Sequence, residues 1–324
     1  MPLPAVLQDR LKLPLIGSPL FIISTPDLVM EQCKAGIVGA FPSLNARPLE
    51  VLDQWLTDLN RNLEKYQADN PDQIVAPYAV NLICHQSNNR LYEDVELCVK
   101  HKVPVIITSL RAPADVVEKI HSYGGVIFHD VTNIRHAKKA VNEGVDGLIL
   151  VCTGAGGHAG ELSPFALVQE VREFYDGCLI LGGAISNGRS ILATQAMGCD
   201  LAYMGSRFIA TKEAMAPDNY KQCLVDSTAE DIVYTNLFTG VHGNYLKPSI
   251  VNAGLDPNNL PESDKTKMNF GSGGNTNVKV WKDIWGSGQG IGDIHDVPGA
   301  GELINRLYDE YQQAKLSLQE KSHF

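Results

Sequence analysis

Cys178-Leu-Ile-Leu-Gly-Gly-Ala-Ile-Ser-Asn-Gly188 and Leu201-Ala-Tyr-Met-Gly-Ser-Arg-Phe208 set the frame for the whole chain. Each opens with a short, near-continuously apolar run and closes on glycine. A run that short and that apolar reads as a strand buried on both faces. Six similar runs precede these two: Pro14–Ser18, Gly36–Ala40, Tyr78–Leu82, Val103–Ser109, Gly125–Val131 and Gly147–Cys152. Amphipathic stretches separate them. In Pro48–Gln67 the apolar residues Val51, Leu52, Trp55, Leu56, Leu59 and Leu63 recur at helical spacing. Ala114–His121, Asn133–Glu143, Pro164–Phe174 and Gly188–Met197 follow the same rule. Strands alternating with helices predict a parallel sheet, and eight such units favour an α/β fold closed into a (β/α)8 TIM barrel.

The pattern changes near Ala214. From there to Gly292 strand-like runs are few, while Asn, Gly, Pro and Ser are many, as in Asp256-Pro-Asn-Asn-Leu260 and Gly271-Ser-Gly-Gly-Asn275. Residues 214–292 are therefore expected to form a smaller, mainly helical domain covering the barrel mouth, inserted before the last helix. That helix is Leu303–Gln319, with Leu303, Ile304, Leu307, Tyr308 and Tyr311 on one side, and residues 320–324 are expected to fray. The barrel would then comprise residues 1–213 and 293–324. The aromatics Tyr234, Phe238 and Tyr245 are read as an exposed homodimer face or a wall of the substrate access.

Bulk properties narrow the function. Apolar residues make up 44% of the 324 and charged residues 20%, an ordinary globular composition. A formal net charge of −10 argues against nucleic acid as a partner, which needs a basic surface. A small anion remains compatible, because backbone N–H groups can hold one against an acidic field. The seven cysteines are scattered, without a C-x-x-C pair, which speaks against a disulfide framework and a structural zinc site. Residues 1–20 carry Asp9, Arg10 and Lys12 and no long apolar stretch. The expectation is a cytoplasmic protein with no membrane span and no metal.

In a barrel, chemistry gathers where strands end. Gly182 and Gly183 end the seventh run, and Gly205 and Ser206 the eighth; the loops there form the usual barrel phosphate site. Arg207 could neutralise that phosphate or pair with a carboxylate. After the sixth run, Cys152-Thr-Gly-Ala-Gly-Gly-His-Ala-Gly-Glu161 surrounds one histidine with glycines, and glycine is costly inside a helix. Gly156 and Gly157 would let the backbone of this loop approach a planar ligand. His158 would be its group working near neutral pH, as general base or hydrogen-bond donor. Asn81, Thr108 and His129, at the ends of the third to fifth runs, could bond the edge of a heterocycle. Ser18-Pro19-Leu20 could supply backbone contacts under its ring. Gly286-Ser-Gly-Gln-Gly-Ile-Gly292, with Gln289 at its centre, follows no strand and is expected to run back toward the site. No G-x-x-x-x-G-K-[ST], G-x-S-x-G or H-E-x-x-H occurs, and the Gly154 loop lacks the spacing of a dinucleotide fingerprint.

Together, Ser18-Pro-Leu20, Ala79-Val-Asn81, Gly154-Ala-Gly-Gly-His-Ala-Gly160, Leu181-Gly-Gly-Ala-Ile-Ser-Asn-Gly188, Met204-Gly-Ser-Arg-Phe208 and the Gly286–Gly292 run resemble the nitronate monooxygenases, formerly 2-nitropropane dioxygenases. The same scaffold serves enoyl-acyl-carrier-protein reductases and NADH:quinone reductases. The resemblance implies a noncovalent FMN, with Gly183, Gly205 and Ser206 on its phosphate, Gly182 close by and Asn81 at the flavin ring. It makes His158 the catalytic histidine. It implies oxidation of an alkyl nitronate by O2 to a carbonyl compound and nitrite, some members also deprotonating the neutral nitroalkane. The chain departs from many relatives at Gly154, where they have Glu, at Leu20, where they have Met, and at His129-Asp130, where some have Lys. Two competing readings are an NAD(P)H-dependent FMN reductase of quinones or enoyl thioesters, and a flavin-binding barrel without catalysis.

Overall fold

The structure, a computed structural model, describes residues 3–111, 114–263 and 282–321. The Gly271–Asn275 stretch and the last residues of the tail lie outside them. In chain order the strands are β1 (Leu15–Gly17), β2 (Gly39–Pro42), β3 (Tyr78–Cys84), β4 (Val105–Leu110), β5 (Val126–Val131), β6 (Gly147–Val151), β7 (Gly157–His158), β8 (Cys178–Gly182), β9 (Leu201–Met204), β10 (Ile232–Thr235) and β11 (Gly243–Leu246). The helices are α1 (Pro26–Lys34), α2 (Leu49–Asp69), α3 (Leu91–Lys100), α4 (Ala114–His121), α5 (Ile134–Asn142), α6 (Pro164–Arg172), α7 (Gly188–Ala196), α8 (Ser206–Ile209), α9 (Asp218–Asp226), α10 (Lys247–Asn252) and α11 (Ala300–Glu320).

Eight strands form one parallel sheet in the order β1-β9-β8-β6-β5-β4-β3-β2. Its edges meet: Ile16 bridges Val38, the Gly17 N–H donates to Val38 O at 2.8 Å, and the Val38 N–H donates to Leu15 O at 3.2 Å. The (β/α)8 barrel is thus closed. Strand two lies later than expected, at Gly39–Pro42, because Gly36 takes φ +86° in the turn that ends α1.

Side chains alternate along a strand, so one parity fills the barrel and the other packs under the helices. Ile16, Ala40, Ala79, Ile107, Phe128, Ile149, Ile180 and Leu201 share the interior cluster. The N-terminal segment plugs its lower end with Leu7. Two residues further along each strand, the same parity brings Ser18, Pro42, Asn81, Ser109, Asp130, Val151, Gly182 and Tyr203 to the mouth. The site is therefore built at the C-terminal ends of the strands, on the inward parity.

The described part of residues 214–292 holds two short strands besides α9 and α10. β10 and β11 pair antiparallel, and β11 also pairs with β7, a part of the barrel chain. Ile232-Val-Tyr-Thr235 is β-branched and aromatic, the composition of a half-buried strand, but only four residues long. Of the three aromatics, Phe238 and Tyr245 are enclosed and Tyr234 is half-buried. Phe238 and Tyr245 are buried edge-to-face at 5.1 Å between centroids, and Tyr234 stacks on His242 at 5.0 Å. No described helix is long and apolar enough to cross a membrane.

Candidate active site

A cavity of about 620 Å³ opens at the barrel mouth, walled by the inward-facing strand ends, the glycine loops after β6, β8 and β9, and the Gly286–Gly290 run. That volume suits a cofactor-sized molecule. Ser18, Pro19, Leu20, Asn81, Gly156, Gly157, His158, Gly182, Gly183, Gly205 and Ser206 all line it, so the strand-end residues expected at one site do meet there.

On the β8–β9 side the wall is backbone. Among the described residues, no carbonyl takes the N–H of Gly183, Gly205 or Ser206 in a hydrogen bond. Unsatisfied backbone donors facing one cavity are what an anion such as a phosphate monoester requires. Gly183 reaches this position with φ +142°, and a Cβ there would come within 2.8 Å of Thr153 O. The Ser206 hydroxyl accepts from the Gly288 N–H at 2.9 Å and so pins the Gly286–Gly290 run to the site. Asn244 holds the other glycine loop, its Nδ2 donating to Ala155 O at 2.7 Å.

On the β3–β5 side the wall is a polar relay. Asn81 Nδ2 donates to Ile107 O at 3.1 Å and to Ser109 Oγ at 2.9 Å, and Ser109 Oγ donates to Asp130 Oδ2 at 2.6 Å. Both Asn81 amide protons are thereby used, which leaves its Oδ1 to accept from a ligand N–H. Burial pushes the Asp130 carboxyl up to about 7, against the lowering effect of the Ser109 hydrogen bond.

His158 lies in β7, where Gly243 pairs with it across the small sheet. The segment around it is the expected loop apart from these two residues, Gly157 and His158, whose pairing with β11 holds His158 at the cavity wall. His158 Nε2 is 2.9 Å from Thr239 Oγ1, and that hydroxyl donates to Val241 O at 3.0 Å. With its own proton directed to Val241 O, the Thr239 hydroxyl is placed to accept from His158 Nε2–H. Burial lowers the His158 pKa to about 4. The imidazole is therefore neutral at every physiological pH, rather than poised near pH 7.

Three expected residues lie elsewhere. Thr108 and His129 are buried outside the cavity and bond each other, Oγ1 to Nδ1 at 2.8 Å. They sit on the outward parity; their neighbours Ser109 and Asp130 face the mouth. The expectation fell on the wrong member of each pair, and the period-two rule distinguishes the two. Gln289 is exposed at the rim, its N–H donating to Gly154 O at 2.9 Å, while Gly288 and Gly290 line the cavity in its place. Arg207 resolves toward the carboxylate: it is buried and meets Asp296 at 3.1 Å, with Arg306 on the same carboxylate at 2.8 Å. Thr239 and Tyr203 carried no sequence signal beyond strand parity for Tyr203. Among the described residues no group of three His, Cys, Asp or Glu could hold a metal ion. The cysteines are buried except Cys223, which is partly so, and burial pushes Cys33, Cys84, Cys152 and Cys199 up to about 12.

The chain is similar to proteins of known kind along most of its length. A nitronate monooxygenase of Paraburkholderia phytofirmans is 25% identical, the match covering 93% of each chain. A (3aS,4S,5R,7aS)-5-hydroxy-7a-methyl-1-oxo-octahydro-1H-indene-4-carboxyl-CoA dehydrogenase of Rhodococcus jostii is 24% identical over 74% of this chain, but the match spans 64% of that relative. The solved structure of a nitroalkane oxidase from Streptomyces ansochromogenes superposes with a TM-score of 0.76 at 20% identity, over 97% of this chain and all (100%) of that one, and shows the same fold. The nitronate monooxygenase family model matches residues 23–310. The chain belongs to the nitronate monooxygenase family of oxidoreductases.

Proposed function

We propose that this cavity binds FMN and that the protein oxidises alkyl nitronates, and nitroalkanes after deprotonation, with O2 to a carbonyl compound and nitrite. The observation that carries the reading is the convergence on one cavity of free backbone donors at Gly183, Gly205 and Ser206 and a neutral, anchored His158. The residues fit the cofactor. The β8–β9 donors would hold its phosphate, and Asn81 Oδ1 would meet a ring N–H. Bound there, the flavin would supply the redox chemistry with O2.

The protein's own part is acid–base and positional. His158, neutral and fixed through Thr239, would take the proton from the carbon next to the nitro group of a neutral nitroalkane. A nitronate arrives without that proton and needs His158 less. The apolar wall of Phe21, Leu44, Ile83 and Leu110 would take the alkyl part and keep water from the reacting carbon.

Because burial lowers the histidine from 6.5 to about 4, protonation removes the base only below about pH 4. The acid limb of kcat/KM for nitroethane should therefore fall near pH 4, read in a pH–rate profile; a limb near 6.5 would contradict it. Thr239→Val should lower kcat/KM for neutral nitroalkanes about 3–10-fold, the worth of one neutral hydrogen bond. Thr239→Ser should restore it, and rates with preformed nitronate should change little.

A further inference from the structure

We infer that Asp130 serves this site as a neutral carboxylic acid whose Oδ1–H is the donor for an acceptor edge of the bound flavin. The inference rests on the FMN reading above and adds to it a donor at the end of the site opposite the glycine cradle.

Asp130 stands on the inward parity of β5 and lines the cavity. Its Oδ2 is taken by the Ser109 hydroxyl at 2.6 Å, and Ser109 in turn receives Asn81 Nδ2. Its Oδ1 is enclosed, with no hydrogen-bond partner among the described residues. No described Lys or Arg forms an ion pair with it. An ionised carboxylate here would keep one oxygen desolvated and uncompensated, which is costly. A neutral acid solves half of that problem. Its proton belongs on Oδ1, because Oδ2 already accepts from Ser109, and an O–H there calls for an acceptor. Asn81 next to it has only an acceptor left. The pair thus offers one donor and one acceptor side by side, the complement of a carbonyl next to a ring N–H.

The other groups around Asp130 do not supply that donor or neutralise it. From β9, the Tyr203 phenol is held well above its ordinary value by burial, with the Asp130 charge adding to the effect, so it stays neutral. His129, beside it on β5, faces outward and is lowered to about 4. From the β5–α5 side come Thr132 and His136, the latter lowered by burial and by Arg135 and Lys139. His158 is lowered to about 4. His242 also lines the cavity. Burial raises Asp130 itself from 3.8 to about 7. The acid is therefore protonated below about pH 7 and loses its donor above it. If only the neutral form donates, flavin affinity is flat at lower pH and weakens about tenfold per unit above the midpoint.

The test is the dissociation constant of riboflavin, which has no phosphate to titrate, with the flavin-stripped protein between pH 5.5 and 9. Wild type should bind about 100-fold more weakly at pH 9 than at pH 6, following one proton. Asp130→Asn, which cannot ionise, should bind with no such slope, while His136→Gln and His242→Gln should keep it. Infrared difference spectra of the wild-type apoprotein should show a protonated carboxyl at pH 6 that is gone at pH 9, a readout independent of flavin and of any variant. Riboflavin binding with the same slope in Asp130→Asn, or with no slope in wild type, would overturn the inference and leave the flavin reading standing. Absence of flavin binding at every pH in all the proteins would overturn both.

Discussion

Replacing His158 by alanine should reduce kcat/KM for neutral nitroalkanes roughly 10²–10⁴-fold, the range ordinarily supplied by a positioned general base. The loss should be much smaller with preformed nitronates, because their proton is already gone. The imidazole is half-buried at the cavity wall and bonded to Thr239, and burial lowers its pKa to about 4, so it is neutral across the physiological range. On the proposed reading it would act by accepting a proton and not by offering positive charge to an anionic substrate. Steady-state kinetics with the two substrate forms, with flavin content measured alongside, separate these roles. Equal losses on both forms would mean that His158 binds the nitro group in both, and would contradict its assignment as a base.

The second large effect concerns the cradle. Gly205→Asp should raise the FMN dissociation constant at least about 100-fold, since like charges brought together cost several kcal/mol and each 1.4 kcal/mol is a factor of ten. Gly205 tolerates the added atoms: its φ is −112°, and a Cβ would find Leu20 Cδ2 and Ser18 Cβ at an ordinary 3.5 Å. Folding should survive while the protein purifies without yellow colour. Riboflavin affinity should fall far less than FMN affinity, because riboflavin brings no phosphate to the carboxylate. Equal weakening of both ligands would place the phosphate somewhere other than the β8–β9 loops.

The barrel was legible because its strands are buried on both faces. Tyr78–Cys84, Gly147–Val151 and Cys178–Gly182 are apolar almost without interruption, so they stand out in sequence. Helices α1 and α3 did not, because polar residues interrupt their buried stripes. Gln32 is buried in α1, and Asp94 in α3 is held there by Ser43 Oγ at 2.7 Å and by Arg90 at 2.8 Å. Such residues look solvent-facing until their partners from distant parts of the chain are known. The β10–β11 hairpin was hidden for a related reason. Its pairing with β7 joins residues about 85 positions apart, Gly243 to His158.

In the site, glycines were the readable part, since their conformational freedom at strand ends has few other uses. The polar wall was half readable. Ser109 and Asp130 stand one position beyond Thr108 and His129, and only strand register decides which pair looks inward. Thr239 acts through a contact 81 residues away in sequence, which no local pattern announces.

Nitronate oxidation on a bound flavin is read directly from O2 consumption with nitrite release. FMN-loaded protein given 2-nitropropane nitronate in air, with no nicotinamide present, should consume O2 and release nitrite over many turnovers. No nitrite from the fully loaded protein, together with rapid anaerobic bleaching of its flavin by NADH or NADPH, would contradict the account and assign the barrel to a reductase.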